Sequence, residues 1–254
     1  MNDLGQHALV DQTVVTKMVE LASIIPSDEV LDVGAGAGKI TQSLLASPAH
    51  RIIAVEKDRE YAPRLLGLLQ VHPNRLTVVL GDALRVAEEE RFTKIVANIP
   101  FHISEPLALI LIRKSISKCI LLVGESFATI VQAHSRIGTG LRLAYEVKEF
   151  ARVPRSAFDP APRTDAVLLV LTARDSSSRN KHEEILLSVL RQHDKLLKNA
   201  LENSLGEILA VPKKQAHELS LHCAPAELAD KRVAHLSNVQ FEIFTKHFFA
   251  QAFN

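Results

Sequence analysis

The chain has 254 residues, 47% hydrophobic and 23% charged, with 30 Lys and Arg against 29 Asp and Glu for a net charge of +1. That length allows one or two domains with real cores, and the balanced composition excludes a disordered chain and a protein that holds polyanions through its overall field. Two cysteines, Cys119 and Cys223, supply neither a disulfide framework nor a four-ligand zinc site, and no apolar run approaches the ~20 residues that cross a bilayer; the expectation is a soluble, cytoplasmic protein with no membrane partner and no catalytic metal.

Residues 1–12 are polar and lack the apolar core of a secretion leader. Short β-branched runs then recur at 30–33, 51–55, 76–80, 94–97 and 119–123, separated by segments of helical period. Continuous apolar runs suit strands buried on both faces, and their alternation with helices predicts a parallel α/β sheet. Two further strand candidates, 141–150 and 166–172, flank a Pro-rich loop at 153–163. The polar, Ser-rich stretch 174–180 marks a boundary between a domain at 1–174 and a small helical domain at 175–254. Within the latter, Leu186, Val189, Leu190, Leu197, Ala200 and Leu201 fall on one face if 184–208 is a single helix. On that reading Arg191, Lys195 and Lys198 form a basic stripe opposite, which reads as an ordinary solvated face before it reads as a phosphate contact.

The first strand runs into Asp32-Val33-Gly34-Ala35-Gly36-Ala37-Gly38-Lys39-Ile40-Thr41, a glycine turn that opens a helix. A dinucleotide fingerprint starting at Gly34 requires a small residue where Lys39 stands, and a phosphate-binding P-loop requires Gly and Ser or Thr where Val33 and Ile40 stand. The spacing that remains, G-x-G-x-G, resembles that of S-adenosylmethionine-dependent methyltransferases. Glu56 follows the second strand and Asp82, with Ala83 beside it, follows the third. A carboxylate at the first position can accept from ribose hydroxyls and one at the second from an adenine amine. Each acid alone would read as a surface carboxylate at a strand end; three features in register read as a nucleoside site.

After the fourth strand comes Asn98-Ile99-Pro100-Phe101, followed by His102-Ile103-Ser104-Glu105-Pro106. Together with Gly5-Gln6-His7-Ala8-Leu9, the Gly34 turn and the run from Val153 through Phe158 to Arg163, these blocks resemble, in order and spacing, the ribosomal RNA adenine N6-dimethyltransferase family over roughly residues 4–174, and more loosely through Gln192-His193 in the tail. The resemblance implies a class I, Rossmann-like methyltransferase fold with a seven-stranded, mostly parallel sheet and a C-terminal helical domain. It implies S-adenosyl-L-methionine as cofactor, bound by His7, Leu9, Gly34, Gly36, Glu56, Asp82, Ala83 and Asn98. Asn98, Ile99, Pro100 and Phe101 would form the catalytic block. Phe101 and Phe158 would stack on the target base, with Arg152, Arg155 and Arg163 around it as RNA contacts.

The chemistry suits that block. The adenine N6 lone pair is delocalised into the ring, so acceptors on its two protons, from the Asn98 side chain and the Ile99 or Pro100 carbonyl, would free it towards a sulfonium methyl. Stacking on an aromatic contributes about 1–3 kcal/mol per base. The expected substrate is rRNA in an assembling small ribosomal subunit, dimethylated at two adjacent adenosines by a monomeric enzyme. A large-subunit adenine methyltransferase of the antibiotic-resistance type and a non-catalytic ribosome-assembly factor are the alternatives. The sequence departs from the family pattern where Phe101 replaces Tyr, Ile99 replaces Leu and Asp194 replaces Arg after Gln192-His193.

Overall fold

The computed structural model describes residues 7–114 and 116–252; Gly5 and Gln6 lie outside them. In chain order the elements are β1 (Ala8–Leu9), α1 (Gln12–Ala22), β2 (Glu29–Val33), α2 (Lys39–Leu45), β3 (Arg51–Glu56), α3 (Ala62–Val71), β4 (Leu76–Leu80), α4 (Ala83–Glu89), β5 (Lys94–Asn98), α5 (Ser104–Arg113), β6 (Lys118–Gly124), α6 (Glu125–Gln132), α7 (Arg136–Ala144), β7 (Tyr145–Val153), β8 (Phe158–Asp159), β9 (Ala166–Ala173), α8 (Lys181–Arg191), α9 (Leu197–Leu209), α10 (Lys213–Cys223) and α11 (Asn238–Phe249).

Seven strands make one sheet in the order β4-β3-β2-β5-β6-β9-β7. The β4-β3, β3-β2, β2-β5 and β5-β6 pairs are parallel, and β9 runs antiparallel to β6 from Lys118↔Thr172 to Gly124↔Ala166. The central strands read as unbroken Val, Ile, Leu and Ala runs because both faces are covered: Val30, Leu31, Ile52, Ile53, Ile95, Val96, Ile120 and Leu122 are all fully buried. On one face α1, whose first turn is capped by the Asp11 carboxylate, packs Val15, Met18 and Ala22 with Val30, Ile52, Ile120, Leu122 and Leu168. At the end of the sheet remote from the glycine turn, the Lys94 ammonium reaches Asp28 at 2.7 Å with both side chains buried, and Thr93 donates to the same carboxylate at 2.8 Å. A separate two-stranded ladder joins the chain start to the Pro-rich loop, Ala8 opposite Asp159 and Leu9 opposite Phe158.

The chain forms two compact units, one holding residues through Thr129 together with Glu146–Ala173, the other holding Ile130–Tyr145 and the chain from Arg174 onward. The chain passes from the first unit to the second after Ala173, and residues 130–145, placed by the sequence in the larger domain, segregate with the tail. The Arg136 guanidinium donates to the Val233 and Ala234 carbonyls, and His134 meets the Thr245 hydroxyl at 3.1 Å. Residues 141–144, expected in a strand, are instead the last turn of α7, which the Ser135 hydroxyl starts by accepting the Gly138 N–H.

The single helix expected over 184–208 is two. α8 ends at Arg191, and the start of α9 is held from outside, Leu197 N–H donating to the Lys231 carbonyl and Lys198 N–H to that of Ala229. Gln192 bridges the break, its amide nitrogen donating to Ser204 Oγ and its oxygen accepting from Asn203 and Lys195. Arg191, Lys195 and Lys198 therefore share no helix face, and Lys198 is paired with Asp230 at 2.6 Å.

Candidate active site

Parallel strands leave their C-terminal ends as a common edge, and in an open α/β sheet ligands bind there. In the larger unit that edge carries a cavity of about 470 Å³, open to solvent and lined by His7, Ala8, Gly34, Gly36, Glu56, Tyr61, Asn98, Ile99, Pro100 and Phe101. Eight of the expected site residues thus meet in one place.

The glycine turn shapes the floor. Gly34, Gly36 and Gly38 all have positive φ, at 72°, 53° and 82°, which L side chains rarely adopt. A Cβ on Gly34 would lie 3.0 Å from Pro100 Cδ, whereas one on Gly36 would meet nothing within 4 Å, so bare backbone faces the cavity there. The turn's amides are already engaged: Gly34 and Ala35 donate to the Val55 carbonyl, Gly36 to Glu56 Oε2 at 2.7 Å and Gly38 to the Ala35 carbonyl. Those four amides are not available to cradle a phosphate, and the Lys39 ammonium is turned to the Val10 carbonyl. Close backbone approach without a phosphate nest fits the amino-acid and sulfonium part of S-adenosylmethionine.

Glu56 is buried, and its second oxygen accepts from Lys57 and Asp58 N–H at 2.8 Å each. The carboxylate therefore ties the glycine turn to the turn after β3. One residue before Val33 and Gly34, the Asp32 carboxylate is fully buried; one oxygen accepts from the Thr41 hydroxyl at 2.7 Å and the other has no partner. Burial, reinforced by Glu56 and opposed by the bonds from Thr41, pushes the Asp32 carboxyl up to about 7.

Asn98 ends β5, and its Nδ2 donates to the His7 carbonyl at 2.9 Å. A carbonyl oxygen can only accept, so the contact fixes which end of the amide faces it and leaves Oδ1 free to accept. The turn that follows is pinned by Ile99 N–H on the Leu122 carbonyl at 3.0 Å. Pro100's carbonyl already accepts from Ile103 N–H and keeps one lone pair. The Phe101 ring lies against Gly124, where a Cβ would sit 3.2 Å from it, and 6.0 Å from the His7 ring. His7 is in turn held by its Nδ1 on the Pro160 carbonyl at 2.8 Å.

Other expected residues stand elsewhere. Leu9 is buried in β1 and does not line the cavity. Asp82 caps α4, accepting Leu84 N–H at 2.8 Å, and neither it nor Ala83 lines the cavity. Phe158 requires correction: it is 4% exposed and packs in the core beneath α1 with Val15, Met18 and Leu9, so it has no ring face open to a base. It is the one aromatic in a loop otherwise made of small, polar and proline residues and Val153, and its ring was drawn inside. Arg152 pairs with Glu125 at 2.5 Å and Glu149 at 3.8 Å, while Arg155 and Arg163 are exposed. Reading the sequence missed Ala8 and Tyr61; the latter's signal was an aromatic five residues after Glu56, in a turn otherwise made of charged residues. Burial and the carboxylates of Asp58, Glu56 and Glu60 raise the Tyr61 hydroxyl's pKa, so it stays protonated.

Among the described residues, no group of His, Cys, Asp or Glu could hold a metal ion, and no helix is long and apolar enough to cross a membrane.

A seven-stranded sheet, parallel from β4 through β6 with β9 antiparallel to β6, and a glycine-floored cavity at the C-terminal edge of its parallel strands define a class I S-adenosylmethionine-dependent methyltransferase fold. The chain belongs to the ribosomal RNA adenine dimethylase family, whose pattern it matches over residues 1–245. It is 32% identical to a "probable ribosomal RNA small subunit methyltransferase A" of Methanopyrus kandleri over 92% of this chain and 86% of that protein, and 30% identical to the like-named protein of Thermococcus onnurineus over 93% and 88%. Among solved structures it resembles a dimethyladenosine transferase from Plasmodium falciparum, with 25% identity and a TM-score of 0.64 over 96% of this chain and 98% of that one. The 23S rRNA methyltransferase ErmE shares the fold, with 21% identity and a TM-score of 0.60 over 95% and 99%.

Proposed function

We propose that the protein transfers methyl groups from S-adenosylmethionine to the N6 amine of adenine in ribosomal RNA, dimethylating two adjacent adenosines of the small subunit during its assembly in the cytoplasm. The bound cofactor supplies an electrophilic methyl on a sulfonium. Gly34 and Gly36 would lie along its amino-acid part and Glu56 would take a ribose hydroxyl. The observation that carries the reading is the Asn98 amide, locked by the His7 carbonyl with its oxygen left free at a cavity shared with Phe101.

From there the residues' roles follow. Asn98 Oδ1 accepts one N6 proton, and the free lone pair of the Pro100 carbonyl, or that of Ile99, accepts the other. With both protons held, the nitrogen lone pair turns out of the ring plane towards the methyl. The Phe101 ring, backed by Gly124, supports the base in that pose. No side chain has to remove a proton before transfer, because the amine becomes acidic only once alkylated and then gives one N6 proton to solvent at the open cavity. The second methyl needs the same pose with one proton left to hold.

The small-subunit target is supported by the names of the two archaeal relatives. The balanced charge supports recognition of a folded particle through local contacts over capture of naked RNA. Arg155 and Arg163, exposed beside the Pro-rich loop, remain the candidate contacts in the larger unit. Single-turnover methylation tests the reading: Asn98→Ala should bind the particle as wild type does and transfer no methyl, and an Asn98→Ala protein as fast as wild type would remove Asn98 from the mechanism.

A further inference from the structure

The cofactor reading leaves an imbalance at the nucleoside end of the cavity. A carboxylate offers about four lone-pair directions, and three of those on Glu56 are occupied by the N–H groups of Gly36, Lys57 and Asp58. Those bonds hold the two turns in place, so Glu56 keeps one direction for a ribose hydroxyl. Asp82 and Ala83, expected at the adenine, do not line the cavity. Asn98 and Phe101 are committed to the reacting amine. His7 has its Nδ1 on Pro160 and its carbonyl on Asn98. Of the cavity-lining residues, that leaves Tyr61 as the one large side chain without a task.

Its placement is fixed by the turn that carries Glu56. Glu56 accepts from Lys57 and Asp58, the Asp58 carboxylate accepts Glu60 N–H at 2.9 Å, and Tyr61 N–H closes the turn on the Asp58 carbonyl at 3.3 Å. The ring is therefore held in register with the carboxylate, five residues away, and is only part-buried, with a face left for a ligand.

Resting on the cofactor assignment above, we infer that Tyr61 is a cofactor-contact residue whose ring packs on the nucleoside half of S-adenosylmethionine. The aromatic face does the work, because every purine offers a π-face to it, whereas the hydroxyl stands among the negative charges of Asp58, Glu56 and Glu60. Because the contact is to the nucleoside and not to the sulfonium, it is the same before and after methyl transfer.

Calorimetric titration of the full chain with S-adenosylmethionine and, separately, with S-adenosylhomocysteine tests this without reference to activity. Tyr61→Ala should weaken both ligands about tenfold and by the same factor. Tyr61→Phe should stay within about twofold of wild type, and Tyr61→Leu should fall between. Tyr61→Ala binding like wild type would overturn the inference. So would a loss confined to S-adenosylmethionine, which would place the ring on the sulfonium, or a full loss in Tyr61→Phe, which would place the interaction on the hydroxyl. Failure of wild type to bind either ligand would instead overturn the cofactor assignment itself. Thermal melting of each variant establishes that the fold is retained, and the ratio of the two ligands' losses decides the matter even in a variant that melts lower.

Discussion

Replacing Asp32 with Asn should stabilise the protein above neutral pH and remove part of its pH dependence. The Asp32 carboxyl is moved from its ordinary 3.8 to about 7, first by burial and then by the charge on Glu56. Its folded-state pKa is raised, so the folded chain holds this proton more tightly than the unfolded chain. The stability it contributes is fully present below about 3.8 and is lost as the pH rises towards 7. At about 1.36 kcal/mol for each pH unit, the ionised form costs at most about 4 kcal/mol above neutrality. An Asn oxygen still accepts from the Thr41 hydroxyl, while its NH2 falls where the second carboxylate oxygen lacks a partner, at a cost of about 1–3 kcal/mol that does not vary with pH. The difference in stability between Asp32→Asn and wild type should therefore change by about 2–3 kcal/mol in favour of the variant between about pH 5 and pH 8. At about 2–4 °C per kcal/mol for a chain of this size, calorimetric melting over that range resolves it. Parallel pH profiles would refute the claim that this buried carboxylate carries the cost.

Glu56→Ala should weaken S-adenosylmethionine by at least tenfold in calorimetry, because it removes the proposed ribose contact and also releases the Gly36 and Lys57–Asp58 turns. Phe101→Ala should cost about 1–3 kcal/mol of base support and slow single-turnover transfer, whereas Phe101→Tyr should keep the stacking and the rate; equal rates for all three would take the ring out of the mechanism. Lys94→Ala should destabilise the chain by about 3–5 kcal/mol in thermal or chemical unfolding, since it leaves Asp28 buried beside Thr93 without its cation; a loss under 1 kcal/mol would contradict the ion pair's structural role.

The sequence revealed the parts of this molecule whose residues must be alike at every position along an element. The strands β2 to β6 were legible because two-sided burial leaves nothing but apolar runs, and the glycine turn because positive φ demands glycine at three alternate positions. Asn98 was legible as a polar amide between a buried strand and a proline. What determined Phe158 was invisible locally: only the pairing of β8 with β1 carries its ring beneath α1. The 141–144 turn was misread because Leu141 and Leu143 satisfy a period of two as well as a helix does, and the Ser135 cap decided between them. The apolar face over 184–208 continued across a break in the backbone. Its cause, the bonds from 197 and 198 to residues 229–231, lies some thirty residues downstream. Tyr61 carries no pattern of its own, and only the turn closed on Asp58 brings its ring to the cavity that Glu56 lines.

On the proposed function, the Asn98–Phe101 turn presents an rRNA adenine amine to a sulfonium methyl. Small and large ribosomal subunits lacking their own adenine methylation, incubated with the purified protein and labelled S-adenosylmethionine and mapped by nuclease digestion and mass spectrometry, test it most directly. Wild type should place N6,N6-dimethyladenosine at two adjacent adenosines of the small-subunit RNA, and Asn98→Ala should leave both unmodified. Label on neither subunit with wild type, or label at the same positions with Asn98→Ala, would contradict the account.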